Sequence, residues 1–171
     1  MNDASIQQAS PADAEAIIQL LADCRQDMLA RGIRQWVAQY PTLQAVWADI
    51  ADTFVVRIGG RLAATVALNE KGEREYEQVR WLTPFHQRAL VVHRLAVHPA
   101  FQRRELARRL MQFAKQLAAQ RGITTIRLDG FSGNPAALAL YEGMGYARAG
   151  EVFFPHRDLP FVCFEKVLTS G

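Results

Sequence analysis

An arginine-rich turn, residues 97–107, is the part of this sequence whose residue types and spacing point most directly to binding chemistry. Residues 103–109 contain four arginines and one acid, Glu105. The turn follows an apolar run and leads into a segment with helical spacing, so it would place helix-start N–H groups beside the arginines. Helix starts and arginines both bind phosphate groups. The pattern therefore indicates an anion site, or else the solvated face of a helix.

The turn is expected to lie inside a strand–helix–strand unit. Residues 89–97 form an apolar-rich run, typical of a strand that is covered on both faces. After the break at His98-Pro99, leucines, a phenylalanine and alanines recur at helical spacing up to Gly122. Residues 123–129 are then predicted to form a second strand. A crossover of this kind makes its two strands parallel.

The remaining elements complete a mixed sheet. A first strand is predicted at residues 5–9, and a helix follows that Ser10-Pro11 begin and Gly32 ends. Further elements are predicted as a short helix at 41–50, strands at 53–58 and 61–68 joined by Gly59-Gly60, a helix at 134–143, and strands at 147–154 and 161–168. We expect an α/β fold: a mostly antiparallel sheet with one parallel β-α-β crossover, helices on both faces, and a single domain over residues 1–171.

Composition and charge argue against several classes of protein. The net charge of +3 is too small to indicate nucleic acid by itself, and no aromatic stacking platform accompanies the arginines. The sequence has no long apolar run. We therefore expect no signal peptide and no membrane partner, and a cytoplasmic location is the default expectation. Cys24 and Cys163 lie far apart in apolar surroundings. We expect them to be reduced core thiols, and we expect no metal site.

Two motifs give the sequence a specific resemblance. The first is Arg94-Leu95-Ala96-Val97-His98-Pro99 followed by Gln102-Arg103-Arg104-Glu105-Leu106-Ala107, and the second is Asn134-Pro135-Ala136-Ala137-Leu138-Ala139-Leu140-Tyr141-Glu142-Gly143-Met144-Gly145-Tyr146. In this order, and separated by one strand, they resemble the GNAT-type N-acetyltransferase superfamily, closely over about residues 89–154. The resemblance implies the GNAT fold. It also implies direct transfer of an acetyl group from acetyl-CoA to a primary amine of a small molecule or peptide.

The same resemblance implies which residues hold acetyl-CoA. They are Leu95, Ala96 and Val97 of the strand, Gln102, Arg103, Arg104, Glu105, Leu106, Ala107 and Arg108 of the turn and helix start, and Asn134, Ala137 and Tyr141 of the second motif. Glu105 departs from the family pattern, which usually has glycine there so that the backbone can approach the pyrophosphate. Its side chain either points to solvent and complements the helix dipole, or weakens cofactor binding.

Three residues are the main candidates for moving protons. Tyr141 matches the family's tyrosine that faces the leaving sulfur, and a phenol with a pKa near 10 can protonate a thiolate with a pKa near 8.5. The alternative is a core tyrosine. The stretch His-x-Leu-Ala-Val, which begins at His93, resembles a strand of arylalkylamine N-acetyltransferases in which the histidine helps to deprotonate the amine. Strand alternation places the side chain of His93 on the same face as that of Leu95.

A structural imidazole is the alternative role for His93. Asp129, at the end of the next strand, is another candidate base or an orienting carboxylate. The segment 69–88 carries three further candidates, Glu70, Glu75 and Glu77.

Aromatic residues indicate where an acceptor amine would bind. By the resemblance, Trp36, Tyr76 and Trp81 are predicted to contact it, whereas Trp47, at helical spacing, is expected in the core. Two other functions are kept open: a non-catalytic acyl-CoA sensor of the same fold, and a nucleic-acid-binding domain that uses the arginines. The presence of both Asn134 and Tyr141 disfavours the sensor, because a pure binder needs no proton donor. A homodimer is compatible with the sequence.

Overall fold

The computed structural model describes residues 4–103 and 105–169, and these form a mixed α/β fold. In chain order the elements are β1 (Ile6–Gln8), α1 (Ala14–Ala30), α2 (Leu43–Ala48), β2 (Thr53–Ile58), β3 (Arg61–Asn69), β4 (Leu90–Val97), α3 (Leu106–Gln120), β5 (Thr125–Phe131), α4 (Pro135–Gly143), β6 (Ala147–Val152) and β7 (Phe161–Val167). The strand order is β1-β2-β3-β4-β5-β7-β6. β4 and β5 pair in parallel, and the pairs β1–β2, β2–β3, β5–β7 and β6–β7 are antiparallel. The predicted mixed sheet with a parallel crossover is confirmed.

The chain groups into two compact units. Unit 1 comprises Met1–Leu68 and His93–Gln112, and unit 2 comprises Asn69–Val92 and Phe113–Gly171. The single domain over residues 1–171 stays a prediction.

The core of unit 1 is built on the apolar face of α1. Its buried side chains recur at helical spacing and are Ala14, Ile17, Leu20, Leu21, Cys24 and Met28. Upstream of α1, the Ser10 N–H donates to the carboxylate of Asp13 at 2.8 Å, which satisfies a donor at the helix start as the sequence predicts. Trp36 is 6% exposed and belongs to this core cluster.

The prediction that Trp47 lies in the core is wrong. Its side chain is 46% exposed, whereas its neighbour Val46 is 1% exposed. Successive side chains on a helix point about 100° apart. Because Val46 faces the protein core, Trp47 points toward solvent. Leu43, one turn earlier on the Trp47 side, is 40% exposed as well. The periodicity of a six-residue helix was too short to identify its buried face.

Unit 2 contains β5, β7, β6 and α4, and a buried ion pair joins two of its strands. The Arg127 Nε–H donates to Glu165 Oε2 at 2.7 Å, and the two side chains are 4% and 0% exposed. Arg127 also donates to the backbone oxygens of Thr83, Pro84 and Phe85. Together with hydrogen bonds from Thr83 to Glu165, these contacts hold the segment Thr83–Phe85 in place.

Within the described residues, no helix has the length and apolar character needed to cross a membrane. The same residues contain no group of three or more histidine, cysteine or carboxylate side chains arranged to hold a metal ion. Cys24 and Cys163 are buried and free, as predicted. Burial is the main cause that raises the pKa of each thiol to about 12, so both are poor nucleophiles.

Candidate functional site

The arginine-rich turn begins with a short 3₁₀ turn at Pro99–Phe101 that His98 stabilises. The backbone N–H of Ala100 donates to His98 Nδ1 at 3.1 Å. Because Nδ1 accepts, the proton of the neutral ring lies on Nε2, which donates to the Asp23 carboxylate at 3.1 Å. The end of β4 is thereby connected to α1 within unit 1.

Glu105 has a backbone conformation that explains why glycine is usual at this position. Its φ is +61°, in the left-handed region, and Arg103 has a φ of +64°. For a residue with a Cβ this conformation costs about 1–2 kcal/mol, whereas glycine adopts it freely. The Glu105 carboxylate is 73% exposed and accepts from Arg108 Nε at 3.1 Å. The Glu105 carboxylate therefore pairs with Arg108, one of the arginines of the candidate anion site. Arg104, another of these arginines, lies outside the described residues.

A second unusual backbone conformation lies in the middle of β4. Arg94 has a φ of +50°, which an L-residue rarely adopts inside a strand. Its guanidinium is 8% exposed and donates to the Asp49 carboxylate at 2.5 Å and to the Tyr40 hydroxyl at 3.0 Å. The alternation that placed His93 and Leu95 on one face assumes extended backbone throughout, and Arg94 interrupts it. His93 and Leu95 are both half-buried.

The last residue of β4 presents a carbonyl that two side chains approach. The oxygen of Val97 accepts from the Cys24 thiol at 3.3 Å and from Gln102 Nε2 at 3.4 Å. Ala96, next to it, is 6% exposed. Within unit 1, the side chain of Gln102 thus bonds back to the end of β4.

In unit 2, α4 carries the residues of the second motif. The Asn134 side-chain oxygen accepts from the Ala137 N–H at 3.3 Å, so Asn134 caps the helix. Tyr141 is 7% exposed, and its ring lies 5.6 Å from that of Phe164. Burial first, and then the negative charge of Asp129, raise the pKa of Tyr141 well above its usual value. The phenol therefore stays protonated at neutral pH, as a proton donor must.

Gly130 of β5 allows the Tyr141 ring to lie close to the strand. A Cβ at this position would lie 3.2 Å from Tyr141 Cε2 and 3.1 Å from Leu138 Cδ2. Both distances are tighter than ordinary carbon–carbon contact. The glycine therefore lets α4 pack closely against β5 at the position of Tyr141.

Asp129 forms a hydrogen bond that the sequence did not indicate. The hydroxyl of Tyr76 donates to Asp129 Oδ2 at 2.6 Å. Trp81 Nε1 donates to the backbone oxygen of Tyr76 at 2.9 Å, and the guanidinium of Arg127 lies 4.7 Å above the Trp81 ring. Of the three predicted acceptor-binding residues, Tyr76 and Trp81 therefore contact each other, and Tyr76 also contacts Asp129. Trp36 lies in the core cluster of unit 1.

A cavity of about 340 Å³ also lies in unit 2, lined by Tyr76, Arg127 and residues between 70 and 91. Two of the candidate glutamates, Glu70 and Glu77, line it. Glu70 accepts from Arg88 Nε at 2.7 Å, and this hydrogen bond lowers the pKa of Glu70. A carboxylate held ionised by an arginine is a weak candidate for accepting a proton.

Sequence reasoning missed the residues that support the candidate site. Arg94, Arg127 and Glu165 each stand among apolar residues of a strand, and charges in such surroundings indicate buried ion pairs. The sequence shows these charged residues among apolar ones, but it does not show which residues they pair with.

Comparison with known proteins agrees with the architecture. The model described as "Acetyltransferase (GNAT) family" matches residues 15–146. The chain is 30% identical over 142 residues to the Uncharacterized N-acetyltransferase YesJ of Bacillus subtilis (strain 168), a match that covers 81% of this chain and 78% of that protein.

Two solved structures resemble the fold over nearly the whole chain. One is a GNAT-family acetyltransferase from Streptococcus agalactiae 2603, with a TM-score of 0.82 and 25% identity, covering 97% of this chain and 96% of that one. The other is yncA from Salmonella typhimurium, solved with its cofactor acetyl-CoA, with a TM-score of 0.69 and 16% identity, covering 98% and 95% of the two chains. With a family match over most of its length, the chain belongs to the GNAT family of acetyltransferases.

Proposed function

We propose that this protein transfers the acetyl group of acetyl-CoA directly to a primary amine of a small molecule or peptide. The observation that carries the proposal is Tyr141: the second motif places it on α4, where its phenol is buried and held in the acid form. A proton donor of this kind serves a reaction that releases a thiolate. Membership of the acetyltransferase family and the acetyl-CoA bound to yncA support the choice of acetyl donor.

The turn is the proposed pyrophosphate site. Arg103 and Glu105 have positive φ values, and α3 starts at Leu106 beside the exposed side chain of Arg103. Helix starts carry unpaired N–H groups that bind phosphates. In the proposal these groups bind the phosphates, and the backbone of Leu95–Val97 holds the pantetheine arm. By the family resemblance, Asn134 and Ala137 of α4 are also proposed to bind acetyl-CoA. Acetyl-CoA supplies the thioester that is cleaved.

The protein's own contribution to the chemistry is to position the thioester and to move two protons. Preorganised backbone groups of β4 orient the carbonyl for attack. Tyr141 gives its proton to the departing sulfur. His93 or Asp129 accepts the proton that the amine loses as the new carbon–nitrogen bond forms.

Replacing Glu105 by glycine is expected to tighten acetyl-CoA binding several-fold and to raise the free energy of unfolding by up to about 1 kcal/mol. Glycine relieves the left-handed strain at this position and frees Arg108 from its ion pair. Binding is measured by calorimetric titration and stability by denaturant unfolding. Glu105→Ala is the matched control, because it removes the charge but keeps a Cβ at positive φ. If neither variant binds acetyl-CoA more tightly than the wild type, the glutamate is a harmless solvent-facing side chain.

The proposed function is tested by a screen of primary amines with acetyl-CoA, following release of the free thiol. We expect at least one class of amine to increase thiol release well above the rate in buffer alone. Amines lacking a free primary group, such as their N-acetylated forms, are the control and should have no effect. Tight acetyl-CoA binding without acceleration by any amine would contradict the proposal and favour a binding module.

A further inference from the structure

The hydroxyl of Tyr76 is buried, and no step of the proposed reaction uses it. Tyr76 lies in the 3₁₀ turn Arg74–Gln78 and is 1% exposed, so it offers an acceptor almost no surface. Its hydroxyl instead donates to Asp129 Oδ2 at 2.6 Å, the short distance typical of a hydroxyl bound to a carboxylate. Asp129 itself is half-buried and so keeps access to a ligand.

Tyr76 is held on its far side by a chain of contacts that reaches the sheet. Trp81 donates to its backbone oxygen at 2.9 Å, and the two rings meet edge to face at 5.1 Å. Arg127 covers Trp81 and is ion-paired with Glu165 inside the sheet. These contacts restrict the backbone and ring of Tyr76 and so help to orient its hydroxyl toward Asp129.

The charge of Asp129 acts on the groups that surround it in unit 2. Burial is the largest cause of the raised pKa values of Tyr76 on the 3₁₀ turn, Tyr141 on α4 and Cys163 on β7, and the negative charge of Asp129 is the second. Tyr146 adds to the effect on Tyr141. These neighbours therefore stay protonated at neutral pH.

We propose that Tyr76 is a positioning residue that orients the Asp129 carboxylate toward the acceptor amine. The inference rests on the proposed acetyltransferase function. As the amine nitrogen bonds to the acetyl carbon, its N–H bond breaks and the proton passes to Asp129. The carbon–sulfur bond breaks in the same reaction, and the sulfur takes the proton of Tyr141. Tyr76 touches none of the reacting atoms and acts only through Asp129.

A double-mutant cycle tests this inference. Tyr76→Phe is expected to lower kcat about 10- to 100-fold with little change in KM for acetyl-CoA, because a misplaced carboxylate slows the chemical step. Asp129→Asn should lower kcat at least as much. In the Asp129→Asn background, Tyr76→Phe should have no further effect on kcat, because a residue that acts through Asp129 loses its role with the carboxylate. If Tyr76 had a purely structural role, Tyr76→Phe would lower the thermal midpoint of unfolding and would lower kcat by the same factor in both backgrounds.

Other outcomes separate this inference from the proposed function. Full kcat in Tyr76→Phe, or an equal loss in both backgrounds, overturns the positioning role. Full kcat in Asp129→Asn overturns the role of Asp129 while acetyl transfer stands. Failure of the wild type on every amine overturns the proposed function itself. If Tyr76→Phe does not fold, Asp129→Glu replaces it: the charge is kept but displaced by one methylene, so kcat should fall, and an unchanged kcat contradicts the inference.

Discussion

Replacing Tyr141 by phenylalanine is expected to lower kcat by roughly 10²- to 10⁴-fold, the usual contribution of a positioned general acid. The ring of phenylalanine fills the same space beside Phe164 and Gly130, so the change removes the proton donor and little packing. KM for acetyl-CoA should change little, because the lost interaction forms only as charge builds on the sulfur. Steady-state kinetics at saturating amine measure both constants.

Tyr146→Phe is the matched control for this prediction. Tyr146 is 6% exposed, its ring lies 6.3 Å from that of Tyr141, and burial raises its pKa as well. It has the same chemistry without a place in the proposed reaction, so its loss should leave kcat within a few-fold of the wild type. Equal losses in both variants, or full activity in Tyr141→Phe, would contradict the assignment of the acid.

Breaking the buried pair in unit 2 is expected to have the largest effect on stability. Arg127→Met leaves Glu165, which is 0% exposed, as an uncompensated charge, and the free energy of unfolding should fall by about 3–5 kcal/mol. The replacement also removes the donors that hold the backbone of Thr83–Phe85. Denaturant unfolding measures the change as a shift of the midpoint.

An exposed ion pair in the same unit gives the control. The side chains of Arg148 and Glu142 are 55% and 46% exposed, so Arg148→Met should cost only about 0–1 kcal/mol. Adding Glu165→Gln to Arg127→Met should recover part of the loss, because the unpaired charge is removed. If Arg127→Met were no more destabilising than Arg148→Met, the buried pair would not be what secures the segment 69–88.

The sequence predicted those parts of the fold that local patterns determine. The Gly59-Gly60 hairpin, the strand–helix–strand unit around α3 and the Asn134 cap of α4 all follow from turn chemistry and periodicity, and the structure confirms them. The second motif singles out Tyr141, which is buried on α4, and its role as proton donor stays a prediction.

The features that escaped prediction depend on contacts between residues distant in the chain. Tyr76 and Asp129 are 53 residues apart, and no local pattern marks their hydrogen bond. The positive φ of Arg94 accompanies its ion pair with Asp49, and residue type alone gives no hint of it. Glu105 departs from the glycine of the family pattern, and its positive φ, which the sequence does not reveal, is the physical reason why glycine is usual there.

The central claim, direct transfer of an acetyl group to an amine, is tested most directly by following an isotopically labelled acetyl group. The protein is mixed with labelled acetyl-CoA and an amine found active in the screen, and the label is traced in protein, amine and thioester over time. The account predicts that N-acetylated amine appears in the same amount as free thiol, with no label on the protein, because Cys24 and Cys163 are buried and protonated. Label that passes first onto the protein, or thiol release without acetylated amine, would contradict it.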